Sequence, residues 1–267
     1  MIITKLQGGL ANQIFQWAYG KYLSEKYNTP LYLDTTFYLN QVGVTKREFS
    51  LNKFPKLKYK ILPNDRNISN LSNEPKKIIT QTISDNFNFN ELNYNNDLHY
   101  YLNGYWQSEK YFKGIESIIR EELQPLSESL EKFSNLPINE NNVSIHIRRT
   151  DYVTSNGYHP VQSVEYYQKG LDIIKEYDNI FVFSDDINWC KENLQFENMV
   201  FIEGFDNVED IWLMSLCKNN IIANSSFSWW GAWLNKNPNK KVITPKNWFG
   251  NVNINTNDII PSDWILI

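Results

Sequence analysis

The chain has 267 residues, of which 42% are hydrophobic and 15% aromatic, enough apolar side chains to build one large core or two of ordinary size. With 21% charged residues as well, the composition excludes a generally disordered chain. The net charge of −4 argues against a general nucleic-acid-binding protein, which needs a basic face to neutralise phosphates.

The two cysteines and the chain start indicate the compartment. Cys190 and Cys217 lie in predicted helices, have no metal-ligand spacing, and are interpreted as reduced core thiols. The chain opens without a basic-then-apolar leader and has no apolar run near the roughly 18 residues of a membrane span. These features predict a cytoplasmic protein without an integral membrane segment.

The first elements in chain order predict a β-turn-α-β unit, with a strand at 1–7, a helix at 11–27 and a strand at 30–34. The turn, G-G-L-A-N-Q, lets the backbone approach a ligand closely and places Asn12 and Gln13 in the first helical turn. Amides and small residues at a helix N-terminus suit a sugar or a phosphate, although a double glycine is often only a packing device.

The next hundred residues are less regular. Residues 35–96 contain asparagine-rich stretches that predict loops and short elements, interpreted as an excursion that shapes a substrate pocket. A strand at 99–105 runs into G-Y-W-Q-S, where Tyr105 and Trp106 suit stacking on a sugar, with core filling as the commoner use of such aromatics.

A polar linker separates two predicted domains. Helices are predicted at 111–123 and 127–133, and the polar stretch 135–142 follows them. We therefore predict an N-terminal α/β domain over residues 1–138, on the acceptor side, and a C-terminal Rossmann-like domain over residues 139–267, which binds the donor.

The second half alternates strands and helices, which predicts a parallel sheet covered on both faces. The predicted strands are 143–148, 180–184, 199–203, 220–224 and 242–245, and the predicted helices are 163–177, 187–194, 208–218 and one that begins near residue 225.

The stretch V-S-I-H-I-R-R-T-D-Y at 143–152 carries the strongest functional signal. Its apolar residues alternate with polar ones, so the strand has one buried face, and Arg148 and Arg149 follow at its carboxyl end. Ligands bind at that edge of open α/β sheets, and an arginine fork matches phosphate oxygens two at a time. The prediction is a phosphate clamp; the alternative is a surface arginine paired with Asp151.

Two later strand ends carry polar residues at the same predicted edge. Asp185 and Asp186 suit ribose hydroxyls or guanine N–H groups, with helix capping as the alternative reading. Ser225, Ser226 and Ser228 exceed what one N-cap needs, which favours binding of an anion at that helix N-terminus.

Five motifs, in the same order along the chain, resemble those of glycosyltransferase family 11, the α-1,2-fucosyltransferases, and its bacterial members in particular. The motifs are G-G-L-A-N-Q-I-F-Q at 8–16, G-Y-W-Q-S at 104–108, H-I-R-R-T-D at 146–151, F-S-D-D at 183–186 and N-S-S-F-S-W-W-G-A-W at 224–233.

The resemblance implies an α/β protein of GT-B type, with two Rossmann-like domains facing across a cleft. It implies an inverting transferase that needs no metal and no cofactor beyond its donor substrate, and that moves L-fucose from GDP-β-L-fucose to O2 of a terminal galactose. The implied acceptor is a β-galactoside oligosaccharide or a lipid-linked glycan such as an O-antigen repeat, with peripheral contact at the inner membrane if it is lipid-linked.

Site residues follow from the same resemblance, position by position. Arg148 and Asn12 are predicted to be catalytic, the arginine holding the donor diphosphate and the amide facing fucose and leaving group. Asp151 is the predicted general base, with His159 and Glu165 as the other candidates. The other predicted donor-binding residues are Gly9, Gln13, His146, Asp185, Asp186, Ser225, Ser226, Phe227 and Ser228. The predicted acceptor-binding residues are Trp106, His159 and Glu165. His146 also fits a buried structural role.

Two alternatives stay open at this point. One is a fucosyltransferase of another linkage, or a transferase of the same shape that uses another nucleotide sugar. The other is a non-catalytic protein of the same fold that binds GDP-sugars or glycans; an intact Arg148 counts against it, because a glycan binder has no use for a diphosphate clamp.

Overall fold

A computed structural model describes residues 1–43, 45–63, 75–81, 87–155, 157–250, 252 and 254–267. The chain forms two compact units. Unit 1 comprises Met1–Gln124 and Ile254–Pro261, and unit 2 comprises Pro125–Asn253 and Ser262–Ile267. Each is an α/β unit built on a parallel sheet, as the sequence predicts.

Unit 1 contains a five-stranded parallel sheet in the order β3-β2-β1-β5-β4. Its strands are β1 (Ile2–Lys5), β2 (Leu31–Asp34), β3 (Lys60–Ile61), β4 (Lys76–Thr80) and β5 (His99–Asn103), and its helices are α1 (Leu10–Lys26) and α2 (Glu116–Glu122). Helix α1 buries most of its length, including Phe15 and Trp17. Its last turn carries Lys26, where a cation complements the helix dipole.

Unit 2 contains a six-stranded parallel sheet in the order β11-β10-β9-β6-β7-β8. Its strands are β6 (Val143–Ile147), β7 (Ile180–Ser184), β8 (Met199–Phe201), β9 (Asn219–Ile221), β10 (Val242–Thr244) and β11 (Ile265–Leu266). Its helices are α3 (Ser127–Phe133), α4 (Thr150–Val153), α5 (Val164–Ile174), α6 (Ile187–Asn193), α7 (Asn207–Leu216) and α8 (Ser226–Leu234).

Alternation along β7 divides the core of unit 2 between the two faces of the sheet. Ile180 and Val182 pack on one side in a cluster that includes Leu171 of α5. Phe181 and Phe183 pack on the other side in a cluster that includes Leu213 of α7. Side chains of successive strand residues point to opposite faces, so a continuous apolar strand is covered by helices on both sides.

The division between the units differs from the predicted boundary at residues 138 and 139. It falls after Gln124 because Phe133 of α3 packs in the same core cluster as Phe181, and α3 therefore belongs to unit 2. The segment Ile254–Pro261 belongs to unit 1, where the Asp258 carboxylate accepts a hydrogen bond from the backbone N–H of Phe89 at 2.7 Å.

Other predictions are refined by the structure. The predicted helix at 111–123 is interrupted at Gly114, which has a φ of +100°, so a 3-10 turn (Glu109–Phe112) precedes α2. Strands β3, β4 and β11 and helix α4 were not predicted. The loops predicted within 64–74 and 82–86 lie outside the described residues. Among the helices that the structure describes, we find none with the length and apolar content to cross a bilayer.

Candidate functional site

Each sheet has one point where the strand order reverses, and the predicted site residues gather at both. In unit 2 the order runs outward from β6 on one side and from β9 on the other, the arrangement of a dinucleotide-binding Rossmann sheet. In unit 1 the reversal lies between β1 and β5. In open α/β sheets a crevice forms at the carboxyl ends of the two strands that flank such a point, and ligands bind there.

Arg148 follows β6 at the reversal point of unit 2. Its Nε and Nη2 donate to the two carboxylate oxygens of Asp151 at 2.9 and 2.8 Å, and Nε also lies 3.3 Å from Oδ2 of Asp185. The Arg148 side chain is 21% exposed. The alternative reading therefore describes part of what is observed, since Arg148 is paired with Asp151, and the phosphate clamp stays a prediction that the remaining exposure of the side chain allows.

Arg149 has a different environment. Its guanidinium carbon lies 3.7 Å from the centroid of the Trp189 ring, and its Nε donates to Asp186 at 3.2 Å. Cation–π stacking and the ion pair hold this side chain against α6. Arg149 is thus held against α6, whereas Arg148 lies at the carboxyl end of β6, the strand that pairs with β9.

Asp185 organises the loop after β6. Its carboxylate accepts the backbone N–H of Arg149 at 2.9 Å, the backbone N–H of Thr150 at 3.2 Å and the Thr150 hydroxyl. Asp186 caps α6 by accepting the N–H of Trp189 at 3.3 Å. The capping alternative therefore describes Asp186, and the nucleoside contacts predicted for the two aspartates remain predictions.

Tyr152, which the sequence analysis did not single out, connects Arg148 with the next strand. Its ring lies 5.7 Å from the Arg148 guanidinium carbon, and its hydroxyl donates to the Asn224 carbonyl at 2.9 Å. The Tyr152 ring also stacks on His159, with centroids 4.6 Å apart and planes at 14°. A tyrosine three residues past the arginine pair was the available signal, but the alternation that defines the strand ends before it and assigned it no role.

Helix α8 begins beside that carbonyl. Ser225 is its N-cap and accepts the N–H of Phe227 at 3.3 Å, and Ser226 and Phe227 are half-buried. Ser228 has no exposed surface, and its hydroxyl faces the carbonyls of Ala223 and Ser225 at 3.4 and 3.3 Å. The Ser228 hydroxyl is thus used within the protein at the helix start, and its direct contact with a donor stays a prediction.

His146 lies inside β6 and has the structural role that the sequence analysis held open. The residue is 4% exposed and its ring packs 5.5 Å from Phe227. Burial, together with the nearby Arg148 cation, lowers the pKa of His146 to about 3, so the imidazole is neutral at working pH. The buried ring therefore supports the strand end, and the direct donor contact predicted for His146 stays a prediction.

The reversal point of unit 1 is formed by the Gly8–Gly9 turn and the segment after β5. Gly8 has a φ of +77°, and a Cβ there would lie 2.8 Å from Nδ2 of Asn12. Oδ1 of Asn12 accepts a hydrogen bond from Gln107 Nε2 at 2.8 Å, and Asn12 is half-buried. Asn12 is therefore held on both sides at the predicted ligand edge, and Gln107 is a second residue that the sequence analysis left without a role.

Gln13 is a structural brace. It is fully buried, its Nε2 donates to the carbonyls of Gly8 and Glu48 at 3.1 and 2.7 Å, and its Oε1 accepts the N–H of Ser50 at 2.8 Å. Every one of these bonds is to backbone, and they join the glycine turn to the segment at 48–50. The donor contact of Gln13 stays a prediction.

Trp106 also belongs to the core. It is 3% exposed, with its ring 5.0 Å from Tyr19 and 5.4 Å from Tyr111. Its aromatic neighbours favour the core-filling alternative over the predicted acceptor contact, because a sugar platform needs an open ring face.

The two remaining acceptor candidates differ in accessibility. His159 is half-buried among Tyr152, Tyr158 and Phe249, and burial lowers its pKa. Glu165 is exposed in the first turn of α5, where a hydrogen bond with Ser163 lowers its pKa. A lowered pKa makes a carboxylate a weaker base, so the structure gives Glu165 no preparation for proton abstraction.

Asp210 is a titratable residue that sequence reasoning missed. It lies in the first turn of α7, and burial, with smaller contributions from Asp206 and Glu209, raises its pKa from 3.8 to about 7. Three acids in five residues at a helix start were a visible signal, but helix capping accounts for such clusters, and burial cannot be read from the local pattern.

The raised pKa of Asp210 predicts a pH-dependent stability. Its folded-state pKa lies above its unfolded value, so the stability it contributes is present below about pH 4 and is lost as the pH rises toward 7. We expect Asp210→Asn to raise Tm at pH 8 and to leave it nearly unchanged at pH 4. The gain at pH 8 is at most about 4 kcal/mol, since one pKa unit corresponds to about 1.4 kcal/mol.

Differential scanning fluorimetry from pH 4 to 8 checks this expectation. Glu192→Gln removes an exposed acid of α6 in the same unit and serves as the control, with a Tm difference that does not grow with pH. Parallel melting curves for Asp210→Asn and the parent protein across that range would contradict the assignment.

Within the described residues, no three His, Cys, Asp or Glu side chains converge as metal ligands. The candidate site in unit 2 instead consists of an oriented arginine, a helix N-terminus and a set of hydroxyls at a sheet reversal point. Such a site is suited to a phosphorylated nucleotide.

Fold and site together define a glycosyltransferase of the GT-B class, and comparison with known proteins identifies the family. The profile of glycosyl transferase family 11 matches residues 77–267. An α-1,2-colitosyltransferase of Escherichia coli is 34% identical, over 100% of this chain and 99% of its own length. The O-antigen biosynthesis glycosyltransferase WbnK of Escherichia coli is 32% identical, over 97% of this chain and 98% of its own. The chain belongs to glycosyl transferase family 11.

Solved structures support the fold. The α-1,6-fucosyltransferase NodZ co-crystallised with GDP aligns with a TM-score of 0.53 and 13% identity, over 86% of this chain and 90% of that one. POFUT1 in complex with GDP aligns with a TM-score of 0.52 and 12% identity, over 91% of this chain and 97% of that one. The Escherichia coli ADP-heptose heptosyltransferase II aligns with a TM-score of 0.52 and 11% identity, over 100% of this chain and 89% of that one. The predictions of family and of GT-B fold are confirmed.

Proposed function

We propose that the protein transfers L-fucose from GDP-β-L-fucose to O2 of a terminal galactose, with inversion to an α linkage and without a metal ion. In this reaction the bond between the anomeric carbon and the β-phosphate oxygen breaks, a bond from that carbon to the galactose oxygen forms, and the hydroxyl proton is released. GDP leaves with the added negative charge. The enzyme must therefore stabilise a departing diphosphate.

The observation that carries the proposal is the position of Arg148 beside α8. The guanidinium carbon of Arg148 lies 5.7 Å from the centroid of the Tyr152 ring. The Tyr152 hydroxyl donates a hydrogen bond at 2.9 Å to the carbonyl of Asn224, which precedes the helix. An arginine and the free N–H groups of a helix start thus lie at the ends of two adjacent parallel strands. Both are donors suited to an anion that gains charge in the transition state.

The linkage and acceptor rest on relatives. The colitosyltransferase is named for an α-1,2 linkage. A Caenorhabditis elegans protein, 28% identical over 50% of this chain and 42% of its own length, is named a galactoside 2-α-L-fucosyltransferase. The name of WbnK supports an O-antigen glycan as acceptor, as either an oligosaccharide or a lipid-linked repeat.

Release of GDP tests the proposal most directly. We expect purified protein with GDP-fucose and EDTA to release GDP only when a β-galactoside is added, and NMR of the product to show fucose on O2 of galactose. Release abolished by EDTA would refute metal independence. Binding of GDP without release, over a panel of β-galactosides that includes lipid-linked ones, would support the non-catalytic alternative.

Colitosyl transfer is the second candidate, favoured by the 34% identity to the colitosyltransferase over the full chain. Colitose is the 3-deoxy form of fucose, so the two donors differ by one hydroxyl. A site built to hydrogen-bond that hydroxyl rejects the deoxy sugar by about 10⁴-fold, whereas an apolar pocket rejects the added hydroxyl by only about 10²-fold. The ratio of kcat/KM for GDP-fucose and GDP-colitose therefore identifies both the preferred donor and the kind of pocket.

A further inference from the structure

The predicted general base, Asp151, is paired with Arg148 through both of its carboxylate oxygens. Its two carboxylate oxygens accept hydrogen bonds from Nε and Nη2 of the guanidinium at 2.9 and 2.8 Å. Asp151 lies in the first turn of α4, three residues after Arg148, and its side chain is 43% exposed. Arg148 and Asp151 thus form an ion pair with two hydrogen bonds between residues that are three positions apart in the sequence.

The edge of the guanidinium that Asp151 occupies decides which edge is left for a ligand. A guanidinium carries five N–H donors in a fixed plane. Asp151 takes the side formed by Nε and one Nη2 hydrogen, and Oδ2 of Asp185 lies 3.3 Å from the same Nε. The end of the fork, formed by Nη1 and the other Nη2 hydrogen, faces away from both carboxylates. That end matches two oxygens of a phosphate.

We propose that Asp151 is a positioning residue, which holds the end of the Arg148 fork toward the donor diphosphate, and not the general base. The proposal rests on the proposed function, since it assigns Arg148 to the diphosphate. Asp185 fixes the same loop through the backbone N–H groups of Arg149 and Thr150. The Tyr152 ring covers the guanidinium from one face.

Chemistry argues against proton abstraction by Asp151. A base must offer a free lone pair to the acceptor hydroxyl, and it is effective when protonation costs it little. Protonating Asp151 would break a bidentate contact between opposite charges. The group best placed to orient Arg148 is therefore poorly placed to take a proton.

The expected kinetic signature is a loss in kcat. The negative charge of Asp151 disfavours a diphosphate in the bound donor and in the transition state alike, so its removal does not weaken donor binding. Alignment of the fork matters most when charge develops on the leaving group. We expect Asp151→Asn to lower kcat by about 10- to 100-fold, with the KM for GDP-fucose within about threefold of the parent value.

A double-mutant cycle tests the assignment. If Asp151 acts through Arg148, Asp151→Asn should lower kcat/KM strongly in the parent protein and by less than about twofold in Arg148→Lys, where no fork remains to be aligned. The pH–rate profile of Asp151→Asn should retain its acidic limb. Asp172→Asn, the same change at an exposed position of α5, is the matched control and should stay within about twofold of the parent kcat/KM.

Two results would overturn the proposal. An equal loss of kcat/KM in both backgrounds, together with a vanished acidic limb, would make Asp151 the base. An Asp151→Asn variant as active as the parent would show that Arg148 needs no such partner.

A parallel cycle on GDP affinity, measured by calorimetry, needs no turnover. Removal of the Asp151 charge raises GDP affinity in both backgrounds, and loss of the aligned fork offsets that gain only in the parent, so the gain from Asp151→Asn should be at least about threefold larger in Arg148→Lys than in the parent. Equal shifts in both backgrounds would contradict the proposal. Parent protein that binds GDP but never transfers fucose refutes the proposed function alone, so the two failures are distinguishable.

Discussion

Arg148→Lys is expected to lower kcat/KM for the donor by about 100-fold or more, although the positive charge is retained. Arg148 uses two N–H groups on Asp151 at 2.9 and 2.8 Å and has others left for the diphosphate. A lysine ammonium is a point charge on a flexible stem, so it cannot keep the carboxylate and present a flat pair of donors together. Loss of one positioned donor to a developing anion costs about 3 kcal/mol, which is roughly 100-fold in rate.

The neighbouring arginine provides the matched control. Arg149 is held against α6 by Asp186 and the Trp189 ring. Arg149→Lys should lose about 1 kcal/mol of stability through the weakened cation–π contact and should lower kcat/KM by less than about 10-fold. Steady-state kinetics with GDP-fucose, with circular dichroism to confirm folding, compares the two. Equal losses would mean that the pair acts as one charge and that geometry is unimportant.

The position of Arg148 was predictable from sequence because it depends on local information. Alternation of apolar residues defines β6, and an arginine pair directly after it must lie at the carboxyl end of the strand. That this end lies next to β9 was not predictable. Residues Val143 and Asn219 pair in the sheet although they are 76 positions apart, and strand order depends on tertiary packing that no local pattern encodes.

Three of the predicted site residues are buried in the structure, which their residue types do not indicate. Gln13, Trp106 and Ser228 have the residue types of a sugar- or phosphate-binding site, and each lies within a motif of the family. In the structure the Gln13 amide and the Ser228 hydroxyl bond to backbone groups, the Trp106 ring packs on neighbouring aromatics, and none of the three is more than 3% exposed. The amide, indole and hydroxyl groups that bind a ligand are the same groups that bond to or pack on other parts of the protein. Burial distinguishes the ligand-binding role from the structural one, and the residue type does not.

The predicted domain boundary differs from the observed division for a related reason. Sequence places a division at a polar, proline-containing linker, which is a local criterion. The structure assigns α3 to unit 2 through the contacts of Phe133, and it returns Ile254–Pro261 to unit 1, where Lys110 pairs with Asp258. A segment that joins a unit more than a hundred residues away leaves no composition signal at that point in the chain.

Gly8→Ala is expected to have the second large effect, on activity and stability together. A β-carbon at Gly8 is strained by its φ of +77° and would lie 2.8 Å from Nδ2 and 3.4 Å from Cβ of Asn12. The left-handed conformation costs a non-glycine residue about 1 kcal/mol, and loss of the Asn12–Gln107 hydrogen bond costs about 1 kcal/mol more. We expect Tm to fall by about 4–8 °C.

Activity should fall further than stability, because Asn12 must move. A shift of roughly 1 Å in a group beside the reacting atoms costs about 100-fold in rate. Asn12 cannot keep its bond to Gln107 while giving space to a new methyl group on Gly8. A fall of this size in kcat/KM, measured at a temperature where the variant is folded, would support the predicted role of Asn12 at the reacting centre.

Gly9→Ala separates conformational strain from ligand approach. Gly9 has a φ of −77° and a ψ of 176°, which any residue adopts, and the nearest atom to an added Cβ is Cδ of Arg47 at 4.0 Å. Its Tm should therefore change by less than about 2 °C. A stable Gly9→Ala variant with low activity would indicate that substrate comes close to the backbone at this position, as predicted from the turn. If Gly8→Ala retains parent stability and activity, Asn12 is not held in a functional position, and unit 1 must contribute through other residues.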